Sequence, residues 1–94
     1  MTPEKMISIV ELYEEGLRRG GVLKVRMDPK RSFHELTHDQ VLAHAHYLCD
    51  GVKEYARDAK FWDKANRHLT AIQMCLSFVG WYRLEELMEH NRAL

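Results

Sequence analysis

The stretch Phe61–Arg92, FWDKANRHLTAIQMCLSFVGWYRLEELMEHNR, decides the fold. It predicts a long helix from about Phe61 to Val79, a break at Gly80, and a short helix with Leu84, Leu87 and Met88 on its inner face. Trp62, Ala65, Leu69, Ile72, Leu76 and Val79 recur at the spacing of one wide apolar face. Ala71, Met74 and Phe78 fall roughly opposite, and Asn66, Thr70, Gln73 and Ser77 form a polar stripe between the two. A helix that is apolar on two sides needs more than one packing partner. Either helix one covers the second face, or the face meets its own copy across a two-fold axis. In the second case Ala71, Met74 and Phe78 are the expected homodimer contacts. The polar stripe faces solvent by default, but a buried Gln73 must find partners or cost about 1–3 kcal/mol.

Upstream, Val41, Ala45, Leu48, Val52 and Tyr55 predict helix two from His38 to about Arg57, with Leu42, Cys49 and Ala56 flanking the stripe. His46, Asp50, Lys53 and Arg57 fall on the opposite side and are expected to be wet. The shared core of helices two and three is expected at Leu48, Val52, Leu69, Ile72 and Leu76. Ser32–Glu35 and Thr37–Gln40 are consecutive capping boxes, which predict a short turn followed by the start of helix two. Helix one runs from about Pro3 to Arg19, capped by Thr2 and stopped at Gly20-Gly21. Its stripe is Met6, Val10, Tyr13 and Leu17, widened by Ile7, Ile9 and Leu12.

Between these helices, Leu23, Val25 and Met27 alternate with Lys24 and Arg26, the period of a strand. A lone strand is not stable, so the segment is expected to be an extended arm, or to pair with a symmetry mate in a dimer. Asp28–Arg31 reads as a turn. Arg18, Arg19, Lys24, Arg26, Lys30 and Arg31 face a single acid, Asp28, within this stretch. Such a basic connector can grip phosphates and is the candidate nucleic-acid contact. It lacks interleaved aromatics that would stack bases. Without a ligand, the same charges offset acidic helices.

Composition bounds the rest. The chain has 94 residues, 46% of them hydrophobic, with 5 Gly and 2 Pro, which predicts one globular domain over 1–94. Its 14 basic and 14 acidic residues cancel, so any electrostatic function is local. No run approaches the roughly 20 apolar residues of a membrane span. The start, MTPEKMISIVELYEE, is acidic and amphipathic, unlike a signal peptide. Cys49 and Cys75 sit among apolar helix formers, which favours free thiols and a cytoplasmic location.

Chemistry-bearing patterns are weak. His34, His38, His44 and His46 crowd together, but His44 and His46 lie about 200° apart on a helix and His34 and His38 straddle a cap. Glu11 and Glu14 form an E-x-x-E of the kind that holds magnesium in helical pyrophosphohydrolases, without a matching second pair; Glu54 and Asp58 have the wrong spacing. No Gly-rich phosphate loop is present, and neither cysteine has a setting that lowers its pKa. No metal, cofactor or catalytic residue is expected.

From about Tyr47 onward the chain resembles a group of small helical proteins encoded by tailed bacteriophages and prophages. The matching residues are Leu48-Cys49, Lys64-Ala65, Arg67, Leu69, Gln73, Leu76, Gly80, Tyr82, Leu84-Glu85-Glu86-Leu87 and Asn91-Arg92. They cover about half the chain, and the N-terminal 35 residues lie outside the resemblance. That pattern has Trp and Gly where this chain has His68 and Thr70, and a small residue at Met74, so identical packing does not follow. Members of the group have no assigned activity, and the resemblance carries over no site residue.

The fold class expected is all-α, with three main helices plus a short C-terminal helix in a bundle-like domain with an extended basic connector. The function expected is that of a non-enzymatic cytoplasmic accessory protein of phage or mobile-element type, working through protein–protein contact as a homodimer. The alternative is a nucleic-acid-binding protein using the connector Arg18–Arg31.

Overall fold

The computed structural model describes residues 1–92 and is all-helical, with no strand among the described residues. Its elements are α1 (Pro3–Arg19), a 3-10 turn at Phe33–Glu35, α2 (His38–Tyr55), a second 3-10 turn at Ala59–Phe61, α3 (Trp62–Phe78) and α4 (Leu84–Arg92).

Local chemistry sets most of these boundaries. The Thr2 hydroxyl accepts from the Lys5 amide at 3.1 Å, and Pro3 occupies the first turn of α1. Both capping boxes form. The Glu35 carboxylate accepts from the Ser32 amide at 3.1 Å, and Thr37 and Gln40 exchange bonds of 2.9 and 3.2 Å. Helices α1 and α3 end in the same way. Gly21 (φ 70°) donates to Arg18 O while Val22 donates to Leu17 O; Gly80 (φ 86°) donates to Ser77 O while Trp81 donates to Leu76 O. Each is a Schellman turn, and the left-handed residue at its centre is a glycine because a Cβ there is strained.

Helices α2 and α3 pack antiparallel, with His38 against Phe78 at one end and Tyr55 against His68 at the other. Val41, Ala45, Cys49, Val52 and Ala56 of α2 meet Ala65, Leu69, Ile72, Cys75 and Leu76 of α3 in one buried core. Helix α1 lays Met6, Ile9, Val10, Tyr13 and Leu17 onto it, and α4 adds Leu87.

Four sequence expectations are corrected. His46 is buried rather than wet, because the arm crosses α2 and the His46 Nδ1–H donates to Val22 O at 2.9 Å. Leu48 is only partly buried at the margin of the shared core. Leu12 is exposed, since α1 already fills its contact with Ile9 and Tyr13. Leu84 (60% exposed) and Met88 (49%) do not form the inner face of α4. Leu87 and His90 do, because Tyr13 offers His90 a polar partner in the core.

Among the described residues the arm pairs with no strand. The Val25 amide donates to Ala43 O at 3.1 Å and the Met27 amide to His44 Nδ1 at 3.1 Å, so α2 itself supplies its acceptors. Asp28–Arg31 is a turn closed by Arg31 N to Asp28 O at 3.0 Å.

Candidate interaction faces

The face of α3 carrying Ala71, Met74 and Phe78 is not covered by α1. Phe78 is 61% exposed and Met74 47%, and Ala71 is partly buried. Instead of a helix, the turn before α2 leans over them. Phe33 joins Val41, Ala71, Met74, Cys75 and Phe78 around a cleft of about 220 Å3, and the His38 ring stands edge-on to Phe78 at 5.9 Å. Every residue lining this cleft is apolar.

The connector is largely neutralised by the fold. Arg18 and Arg19 both reach Glu15, at 2.7 and 2.8 Å, and their hydrogen bonds hold the Glu15 carboxyl below its ordinary range. Lys24 reaches Asp50 at 3.1 Å, and Arg31 reaches Glu35 at 3.5 Å. Among the described residues, Arg26 and Lys30 have no carboxylate within ion-pair distance. The six basic residues therefore do not converge on one point. The arm and α2 enclose a groove of about 530 Å3, lined by Val22, Val25, Met27, Leu36 and Ala43 with Arg26 and Arg31 at its edge.

Glu14 is the hub of the acidic side of α1. Lys53 donates to it at 2.8 and 3.0 Å, and Lys24 lies 3.5 Å away. The bond to Glu14 raises the Lys53 pKa, so the ammonium stays charged. With two ammonium groups already on Glu14, the E-x-x-E of Glu11 and Glu14 is an ion-pair cluster joining α1, α2 and the arm. Among the described residues no three His, Cys, Asp or Glu side chains gather around a common point.

Four of the six histidines are individually hydrogen-bonded. His44 accepts from the Met27 amide, His46 donates to Val22 O, His68 donates to Lys64 O at 2.9 Å, and His90 meets Tyr13. Burial, with the charges of Arg26 and His68, lowers the His44 pKa. Both cysteines are buried free thiols; burial pushes Cys49 up to about 12 and Cys75 up to about 11, away from nucleophilic character.

Gln73 is buried, and its partners are now identified. Its Nε2 donates to Tyr13 Oη at 3.2 Å and to Asn91 Oδ1 at 2.8 Å, while Asn91 Nδ2 returns a bond to Gln73 Oε1 at 3.3 Å. Sequence reasoning pointed to Gln73 but missed Tyr13, His90 and Asn91. The periodicity of α1 had marked Tyr13 only as an apolar core position.

No protein-family model matches the chain, and no curated protein or solved structure matches it either. Among the described residues no helix is long and apolar enough to cross a membrane.

Proposed function

We propose that the chain is a non-enzymatic cytoplasmic accessory protein of phage or mobile-element type, acting through protein–protein contact as a homodimer closed across the Phe78 face. One observation carries this reading: Phe78, Met74 and Phe33 (44% exposed) stand around an apolar cleft that none of the described residues covers. An exposed apolar cluster of this kind marks an interaction surface. A two-fold axis brings the same patch against itself, so the patch must be compatible with its own copy. An uncharged lining meets that condition, because self-contact sets no like charges against each other. The projecting Phe78 ring of one copy also has the neighbouring cleft of the other to enter. The phage-type element of the proposal is supported by the residue series from Leu48 to Arg92, and the non-enzymatic element by the paired Glu14 and the raised, buried thiols.

Light scattering tests it. The wild-type mass is expected near twice the 11.1 kDa of the chain, falling to a folded monomer in Phe78→Glu. A monomer at high micromolar concentration would overturn the dimer.

A further inference from the structure

The sequence places no aromatic residues among the cations of the connector, but the fold brings them there. Folding the arm onto α2 bonds the Met27 amide to the His44 ring and brings the neighbouring Arg26 charge close enough to act on that ring. The Tyr47 ring stacks on His44 with centroids 6.0 Å apart and planes 21° apart, and Phe33 stands edge-on to His44 at 5.9 Å. One turn further along α2, the His68 ring of α3 lies over Gly51, where a Cβ would come within 2.8 Å of it. His68 in turn meets Tyr55 at 5.6 Å, and Tyr55 meets Phe61 at 5.5 Å. Lys64 sits 4.4 Å from the Tyr55 ring centre and Lys60 5.7 Å from that of Phe61. A row of rings therefore follows the α2–α3 seam with cations at both ends.

Three properties of the row point to one ligand. Tyr47 is 42% exposed and Phe61 38%, so ring surface is available for contact. Among the described residues Arg26, Lys60 and Lys64 have no carboxylate within ion-pair distance, whereas Arg18, Arg19, Lys24 and Arg31 do. From His44 to Tyr55 the row spans about 17 Å at roughly 1.5 Å per residue. That gives room for only a few nucleotides of an unpaired strand. Rings that take bases and cations that take phosphates, along a narrow track, are what an unpaired strand requires. A duplex hides its base faces and leaves the rings unused. Exposed Asp28, Glu54 and Asp63 lie close in sequence to the row, so binding is expected to be modest and strongly salt-dependent.

We infer that the seam between α2 and α3 is a binding track for single-stranded nucleic acid, with Tyr47 and Phe61 stacking bases and Arg26 and Lys64 holding phosphates. The track from Arg26 and Tyr47 to Lys64 forms within one chain and lies outside the Phe78 dimer cleft, which takes Phe33.

Fluorescence anisotropy with a labelled oligothymidylate at low salt tests this, with a hairpin duplex as the comparison. The single strand is expected to bind more tightly than the duplex. Tyr47→Ala is expected to weaken binding by about 5- to 150-fold, the loss of one stacked base. Arg26→Ala is expected to lower the salt slope by about 0.7, one single-strand phosphate contact. Arg18→Ala, whose guanidinium is held by Glu15, and Phe78→Glu are expected to bind as wild type. Circular dichroism confirms that each variant is folded, and Phe61→Ala replaces Tyr47→Ala if that variant is not. Absence of binding at low salt would overturn the inference. So would equal affinity for duplex, indifference to folded ring variants, or loss of binding in folded Phe78→Glu.

Discussion

Tyr13 and His90 are 77 positions apart, yet the phenol oxygen lies 2.6 Å from the imidazole Nδ1. The direction of that bond follows from its neighbours. Gln73 Nε2 donates to the phenol oxygen, so the Tyr13 hydrogen is free to go to His90, whose Nδ1 accepts. Tyr82 packs against both rings, at 5.5 and 4.9 Å. The nine-residue helix α4 is thereby tied to α1 and α3 by a polar network as well as by Leu87.

Tyr13→Phe keeps the ring and removes the bond. The loss is expected to be about 1–3 kcal/mol in urea unfolding, because His90 and Gln73 each lose a partner in a sheltered site. Amide exchange across Leu84–Arg92 is expected to quicken selectively. A variant as stable as wild type would mean that the network does not hold α4.

Leu69→Ala and Leu76→Ala each open a cavity where α2 and α3 meet. Both side chains are buried, and each truncation is expected to cost about 2–5 kcal/mol. Exposed Arg57→Ala is expected to stay within about 0.5 kcal/mol. Equal melting of Leu69→Ala and wild type would contradict the packing of α3.

His46→Ala is expected to behave as a core variant, not a surface one. It leaves Val22 O without its donor and loosens the arm, at a cost of about 1–3 kcal/mol. Trypsin cleavage after Lys24 and Arg26 should accelerate in parallel. An unchanged cleavage rate would show that the arm is held by other contacts.

Acid should weaken the arm through His44 before it reaches the carboxylates. Its Nδ1 accepts from the Met27 amide, and burial with the Arg26 and His68 charges lowers its pKa from the ordinary 6.5. The unfolded chain then binds a proton more readily than the folded one. This contribution is fully present above about pH 6.5 and is lost as pH falls below it toward the folded value. Glu15, Glu35, Asp50 and Glu86 all have lowered values and titrate further down. Unfolding free energies measured from pH 7.5 to 5.5 should fall in wild type and flatten in His44→Gln; identical profiles would rule His44 out.

The thiols give a simpler measurement. With Cys49 pushed up to about 12 and Cys75 to about 11 by burial, a disulfide reagent should react slowly with the native protein and at once in denaturant. Rapid reaction of the native chain would mean that the core opens readily.

The amino-acid sequence by itself determined the helices and their ends. The Thr2, Ser32 and Thr37 caps, the Gly21 and Gly80 stops and the core face of α3 all depend on groups within a few residues of each other, where backbone geometry leaves few choices. The second apolar face at Met74 and Phe78 was also legible, because period and angle on a helix are fixed by its pitch, but that α1 leaves it exposed was not. Only the tertiary structure decided where the alternating but strandless arm would lie. That single placement buries His46, sends Lys24 to Asp50, and brings the Arg26 charge to the His44 ring. It also decided which side of α4 faces inward, since Leu84, Leu87 and Met88 are equally apolar in sequence and only Leu87 sits on the side that His90 shares with Tyr13. Hydrophobic periodicity ranks faces within one element. It carries no information about polar partners that arrive from 77 residues away.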